Sequence, residues 1–171
     1  MIAVFVLPIV LAKLALDGHW LATGVTNKGT LLTNELTLED LGLDPAKFTQ
    51  HWLMVYNLPS NCDDDCQKTL TIVYNTYIAL GKDKPRVIPV ALTHKDLTKD
   101  QLLHLSTSQW QLMPMPSKGE SIIDKPQILI VDPLGNVFLS HQIPDNTEHL
   151  PQFGKQILAD MKKLLKYSKV G

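Results

Sequence analysis

The sequence is poor in sulfur and has no dominant sign of charge. Two cysteines among 171 residues are too few for a disulfide scaffold. The 16 basic and 17 acidic residues leave a net charge of −1, and the basic residues are scattered, with a modest cluster only at Lys162, Lys163, Lys166 and Lys169. No face can be drawn that would neutralise a phosphate backbone, so nucleic acid is not an expected partner. Internal repeats and low-complexity tracts are absent. So are a Gly-rich phosphate loop, paired catalytic acids and a Ser-His-Asp arrangement, and no nucleotide cofactor is expected. Beyond its first stretch the chain is the size of one ordinary domain, large enough to bury a core.

That first stretch carries no charge over residues 1–12 (MIAVFVLPIVLA), and the apolar pattern resumes after Lys13. Sixteen residues at ~1.5 Å each cover about 24 Å of a hydrocarbon core ~30 Å thick. The span suffices if it runs to Trp20, an aromatic suited to the interface, with Lys13 snorkelling and Pro8 tolerated in lipid. A cleaved signal peptide would want a basic start, which is missing. A buried core helix is the third reading. The expectation is a membrane or signal-anchor helix over residues 1–20. No basic residue precedes it to set its orientation, but a thiol pair suits the oxidising, non-cytoplasmic side.

Residues 21–48 are polar and punctuated by Gly24, Gly29, Gly42 and Pro45, which reads as a linker with short turns. Residues 49–171 form the folded domain. Residues 51–58 (HWLMVYNL) are a buried strand, and residues 63–80 an amphipathic helix ending at Gly81. Residues 87–92 make a second strand, restricted by Pro89 to an edge or bulge. A short helix over 97–105 follows. Strands 127–131 and 136–140 are joined by the turn sequence Asp132-Pro133-Leu134-Gly135, and an amphipathic helix closes the chain over 147–167. A right-handed crossover makes the first two strands parallel neighbours. With the hairpin on the other side of the first strand, Pro89 falls on the sheet edge.

Both cysteines lie in one five-residue window, Cys62-Asp63-Asp64-Asp65-Cys66, where the first strand hands over to the helix. Residues four apart share a helical face, with Cα atoms about 6 Å apart, so the sulfurs can close a disulfide or chelate Cu(I). As a passive staple the placement is poor: a five-residue loop contributes about 2 kcal/mol, against about 4.7 kcal/mol for a 100-residue loop. A helix N-terminus, by contrast, activates a thiol. The three aspartates cap the helix, oppose thiolate formation and favour a cationic partner.

Strand, CxxxC, helix, strand and the Pro126–Gly135 hairpin segment together resemble the thioredoxin superfamily, and most closely its Sco/SenC copper-chaperone branch. Small membrane-anchored, thioredoxin-like bacterial proteins that accompany cytochrome oxidase assembly genes are similar in more detail. They share a segment like Thr26-Asn27-Lys28-Gly29-Thr30-Leu31-Leu32 and an Asp-Pro-Leu-Gly-Asn hairpin. The resemblance implies an α/β thioredoxin-like fold, a central mixed sheet flanked by helices, behind an N-terminal membrane-anchor helix. It implies a single-pass protein of the bacterial inner membrane with its domain in the periplasm, and cytochrome c oxidase subunits or other assembly factors as partners. Cys62 becomes the more exposed thiol and Cys66 its partner. Pro126 matches the proline whose cis peptide faces the cysteines, or is an ordinary proline opening a strand. Copper would be held by Cys62 and Cys66. Where the branch supplies a histidine this chain has Asp124, a poor ligand for Cu(I). His19, His51, His94, His104, His141 and His149 are otherwise surface or packing residues, and Met113 and Met115 core and loop. Three functions follow: oxidase assembly through copper or thiols, general thiol–disulfide exchange, or an interaction module with a structural bridge.

Overall fold

The structure, a computed structural model, describes residues 6, 13, 27–32, 36–94, 97, 105 and 108–170. The expected anchor over 1–20 and most of the expected helix over 97–105 lie outside the described residues. Among those described, no helix is long and apolar enough to cross a membrane.

One six-stranded mixed sheet organises the chain. Its strands are β1 (Thr30–Leu31), β2 (Trp52–Asn57), β3 (Val87–Thr93), β4 (Gln111–Pro114), β5 (Gln127–Val131) and β6 (Val137–Gln142), in the order β1-β6-β5-β2-β3-β4. The helices are α1 (Asp64–Ile78), the single turn α2 (Ser117–Glu120) and α3 (Leu150–Tyr167). β2 and β3 are parallel, β5 lies antiparallel on the other flank of β2, and β5–β6 is an antiparallel hairpin. The parallel β2–β3 pair and the β5–β6 hairpin match the sequence expectation, and the hairpin lies on the flank of β2 that the expectation allowed for it.

Every residue of β2 is buried, yet the strand still alternates. Trp52, Met54 and Tyr56 face a core made with Leu70, Val73 and Tyr77 of α1 and Phe153, Ile157 and Met161 of α3. Leu53 and Val55 face the opposite core, with Leu38, Leu41, Leu43, Phe48, Met115 and Ile123. A strand covered on both faces has no solvent side, which explains its unbroken apolar run. The two helices touch at Gly154, where a Cβ would lie 2.8 Å from Thr76 Oγ1 and 2.9 Å from Ile72 Cγ2.

Two expectations are corrected. The described part of residues 21–48 is no linker. Residues 30–31 form an edge strand on β6, and four of the segment's apolar side chains close one face of the sheet. Its polar residues make turns, as where Thr37 and Asp40 bond each other, while the leucines do the packing. β3 is not an edge either, because β4 pairs with it from Val90 onwards. Pro89 is accommodated for a related reason. Leu92 O accepts from Leu58 and Thr93 O accepts from Met115, so Pro89, in phase with Thr93, turns its missing N–H toward the β4 side. β4 begins one residue further on, opposite Val90.

Candidate functional site

β2 ends at Asn57, and Leu58 and Pro59 lead the chain across the end of the sheet to the cysteines. Asp63 then stops the extended run and caps α1: its carboxylate Oδ1 accepts from Cys66 N–H at 3.1 Å. Cys62 lies just outside the helix and Cys66 in its first turn. The expected shared helical face is thus replaced by a cap that folds the chain back, leaving the Cα atoms 5.1 Å apart and the sulfurs joined as a disulfide. Both cysteines are largely covered, Cys62 at 8% exposure and Cys66 at 4%.

Access comes through a cleft of about 360 Å³ beside Cys66, whose walls include Tyr56, Asp63, Asp65, Lys125, Pro126 and Asp145. Of the two residues Cys62 is the slightly more exposed, but it is Cys66 that lines the cleft. Asp63, Asp64 and Asp65 are exposed on the first turn of α1, and Asp65 pairs with Lys68 at 2.9 Å. Asp63, Asp65 and Asp145 against Lys125 give the cleft an acidic rim. Burial pushes the Tyr56 phenol well above its usual range, against the opposing Thr69 hydrogen bond and with the Asp63 charge adding to the rise. It therefore stays protonated as a fixed hydroxyl in the wall.

Pro126 lines the cleft, and its peptide bond is trans, since the described residues contain no cis peptide. Asn57 is 1% exposed, and its Nδ2 donates to Lys125 O at 3.0 Å, which fixes the peptide unit before Pro126 to the end of β2. The trans unit is thereby tied to the sheet.

A copper centre fits this site poorly. Cys62 and Cys66 are two soft donors, but Asp124 is an exposed carboxylate, and no cluster of three His, Cys, Asp or Glu among the described residues could hold a metal. His51 Nδ1 meets Thr49 O, His149 is exposed at the start of α3, and His94 and His141 are engaged elsewhere. Met115 is core, with Met113 packed against it. His19 and His104 lie outside the described residues.

Sequence reasoning passed over several residues. Asn57 stands as a lone amide in an apolar run, the one signal it gave. His94 Nε2 lies 3.0 Å from Asn57 Oδ1, and its Nδ1 lies 3.2 Å from Glu120 Oε1. Asp160 is buried on the apolar face of α3, where it accepts from the backbone N–H groups of Lys28 and Gly29. This gives the Asn27-Lys28-Gly29 motif its structural role. Asp160 Oδ2 also lies 3.3 Å from His141 Nε2.

Comparison with known proteins places the fold. The apo Sco1 protein of Thermus thermophilus superposes with a TM-score of 0.56 at 12% identity, covering 82% of this chain and 99% of that one. A thiol:disulfide interchange protein from Bacteroides sp. gives 0.51 at 14% identity, covering 82% and 91%. The thioredoxin domain of a thiol-disulfide oxidoreductase from Bacteroides vulgatus gives 0.50 at 19% identity, covering 80% and 91%. Such identities establish a shared fold. No curated protein matches the chain. The family model for the transmembrane-like, thioredoxin-like C-terminal domain matches residues 52–168, from the first residue of β2 to just past α3. The chain belongs to the transmembrane-like, thioredoxin-like C-terminal domain family.

Proposed function

We propose that this chain exchanges disulfides through Cys62 and Cys66 on thiols of a protein partner. It does so as a single-pass protein of a bacterial inner membrane, its N-terminal apolar segment the anchor and its domain periplasmic. The observation that carries the reading is a disulfide spanning five residues at the strand-to-helix corner, with a cleft and Pro126 beside it. The family's description as transmembrane-like supports the membrane attachment. The motif resemblance to oxidase-associated proteins supports cytochrome c oxidase subunits or other assembly factors as partners.

The chemistry balances without a cofactor. A partner thiolate attacks Sγ of Cys62, the more exposed of the two residues. A new S–S bond forms, the Cys62–Cys66 bond breaks, and its electron pair leaves on Cys66, which takes up a proton. A second partner thiol displaces Cys62, so the partner leaves oxidised by two electrons and the cysteine pair reduced. The reverse sequence reduces a partner disulfide. The cleft's walls position the partner segment, and its acidic rim favours one with basic residues beside its cysteine.

The test is oxidation of a dithiol peptide by the purified protein, with turnover requiring both cysteines; an inert protein would refute the reading. A Cu(I) titration of the reduced protein addresses the alternative of metal delivery. With two sulfurs and no third ligand, binding should be lost to a competing chelator that a three-ligand site withstands. Retention of one Cu(I) against that chelator, absent in Cys62→Ser, would restore the metal reading.

A further inference from the structure

The lysines near the end of the chain take no part in the exchange chemistry, and they gather on one corner of the domain. α3 carries Lys155, Lys162, Lys163 and Lys166, with Lys169 just after it, and its one acidic residue, Asp160, is buried. Lys162, Lys166 and Lys169 are exposed. The tail beyond α3 is held against the domain. Arg86 Nη1 donates to Leu165 O at 2.9 Å, and its Nη2 donates to Ser168 O at 2.9 Å and Val170 O at 3.1 Å. Tyr167, 73% exposed, stands among the lysines, with Lys166 Nζ 5.4 Å from its ring centre.

Two placements say what meets this corner. The N-terminal segment arrives there: Lys163 Nζ donates to Asn27 Oδ1 at 3.2 Å, and the backbone N–H groups of Lys28 and Gly29 go to Asp160. With an anchor over residues 1–20, the chain from Trp20 to Asn27 reaches at most about 25 Å when fully extended. The cysteines lie at the other end of the domain. Thr147 and Leu150, where α3 begins, line their cleft, whereas Leu165 and Ser168 meet Arg86, the residue before β3. At ~1.5 Å per residue, the length of α3 sets the lysine corner about 25 Å from the cleft.

We propose that this corner, formed by Lys162, Lys166, Tyr167 and Lys169, docks on anionic phospholipid headgroups of the bilayer that holds the anchor. The inference rests on the proposed function in one respect, that residues 1–20 are the anchor. Lysine ammonium groups are drawn to an anionic bilayer within a Debye length, about 8 Å at physiological ionic strength. Each such contact is weak, but a short tether keeps the corner at high effective concentration beside the headgroups. Tyr167 supplies an amphipathic ring of the kind that settles at that interface. The domain then stands on the end opposite its cleft, and the disulfide faces partner segments about 25 Å out from the bilayer.

The test uses the full chain reconstituted in vesicles of phosphatidylcholine alone or of phosphatidylcholine mixed with phosphatidylglycerol. Acetic anhydride, an uncharged amine reagent, acylates the lysines, and mass spectrometry reads each rate relative to Lys68 near the start of α1. With phosphatidylglycerol present, Lys162, Lys166 and Lys169 should react several-fold more slowly than in phosphatidylcholine alone. The protection should vanish in 1 M salt, where the Debye length is about 3 Å. In the double variant Lys166→Gln, Lys169→Gln, changed at exposed positions, Lys162 should lose most of its protection. Rates that are alike in the two bilayers, or protection that salt leaves intact, would overturn the inference. Extraction with alkaline carbonate reports on the anchor separately. A chain that carbonate strips from the vesicles, yet whose lysines keep their lipid- and salt-dependent protection, refutes the anchor and leaves the docking surface. A chain that resists carbonate while its lysines react alike in both bilayers refutes the docking surface and leaves the anchor.

Discussion

Cys66→Ser is expected to accumulate as a mixed disulfide through Cys62, whereas Cys62→Ser is expected to form little. The native pair sits with Cα atoms 5.1 Å apart, so the second thiol attacks the mixed disulfide as an intramolecular neighbour at very high effective concentration. Removing it leaves only slower routes of release, and turnover should fall by about 10³-fold or more, a smaller factor than effective molarities of about 10⁵–10⁸ M allow. Non-reducing mass spectrometry after incubation with a disulfide-bonded cysteine peptide reads the adduct directly: the Cys62 thiolate attacks the peptide disulfide, a new S–S bond forms as the old one breaks, and one peptide thiol leaves. Peptides with lysine or arginine beside the cysteine should react faster than acidic ones at low salt. The preference should shrink at 1 M salt, where the Debye length is about 3 Å and the acidic rim is screened. The reverse asymmetry, with Cys62→Ser as the trap, would make Cys66 the attacked sulfur, in keeping with its place on the cleft wall.

The largest loss of stability is expected at Asp160. Its carboxylate is buried and accepts three hydrogen bonds, two from Lys28 N–H, shared between its oxygens, and one from Gly29 N–H. Asp160→Ala leaves these amides without an acceptor and opens a gap on α3, a loss of about 3 kcal/mol or more in urea unfolding at pH 7.5. Asp160→Asn should lose less, because it keeps one acceptor oxygen. The neighbouring His141 adds a pH dependence. Burial lowers its pKa from 6.5, and the Asp160 charge opposes that shift without cancelling it. Its ring nitrogen lies 3.3 Å from the carboxylate but out of line for a hydrogen bond. A folded-state pKa below the unfolded one means the unfolded chain binds the proton more readily. The contribution from neutral His141 is therefore complete above pH 6.5 and is lost as pH falls through the lowered folded value. The urea midpoint should drop over that window, and His141→Leu should flatten the drop. An Asp160→Ala protein as stable as the native one would mean that the pairing of β1 and the packing of the following leucines hold the segment without the buried carboxylate.

Much of this architecture was legible in the sequence. β2, α1, the β5–β6 hairpin and α3 announced themselves through period, caps and turn residues. Asp132 accepts from Leu134 and Asn136 in the hairpin turn, and Gly135 takes a positive φ of 91° there. β1 and β4 did not, because strands of two and four residues, mostly exposed, carry no alternation to detect. Leu38, Leu41 and Leu43 were hidden for another reason: they pack from turns, with neither helical nor strand spacing. At the site, the cysteine pair was readable from spacing alone, whereas its surroundings were not. Asn57 and His94 stand 37 positions apart, and His94 and Glu120 26 apart. Only the crossover that brings β3 beside β2 makes them neighbours.

The cap at Asp63 has a consequence for how a partner tells the two redox forms apart. The Cys66 amide is held by a carboxylate, not by sulfur, so cleaving the bridge leaves the opening turn of α1 anchored. On the exchange reading, a partner that tells the oxidised from the reduced form is expected to do so within a few ångströms of the sulfurs, by touch.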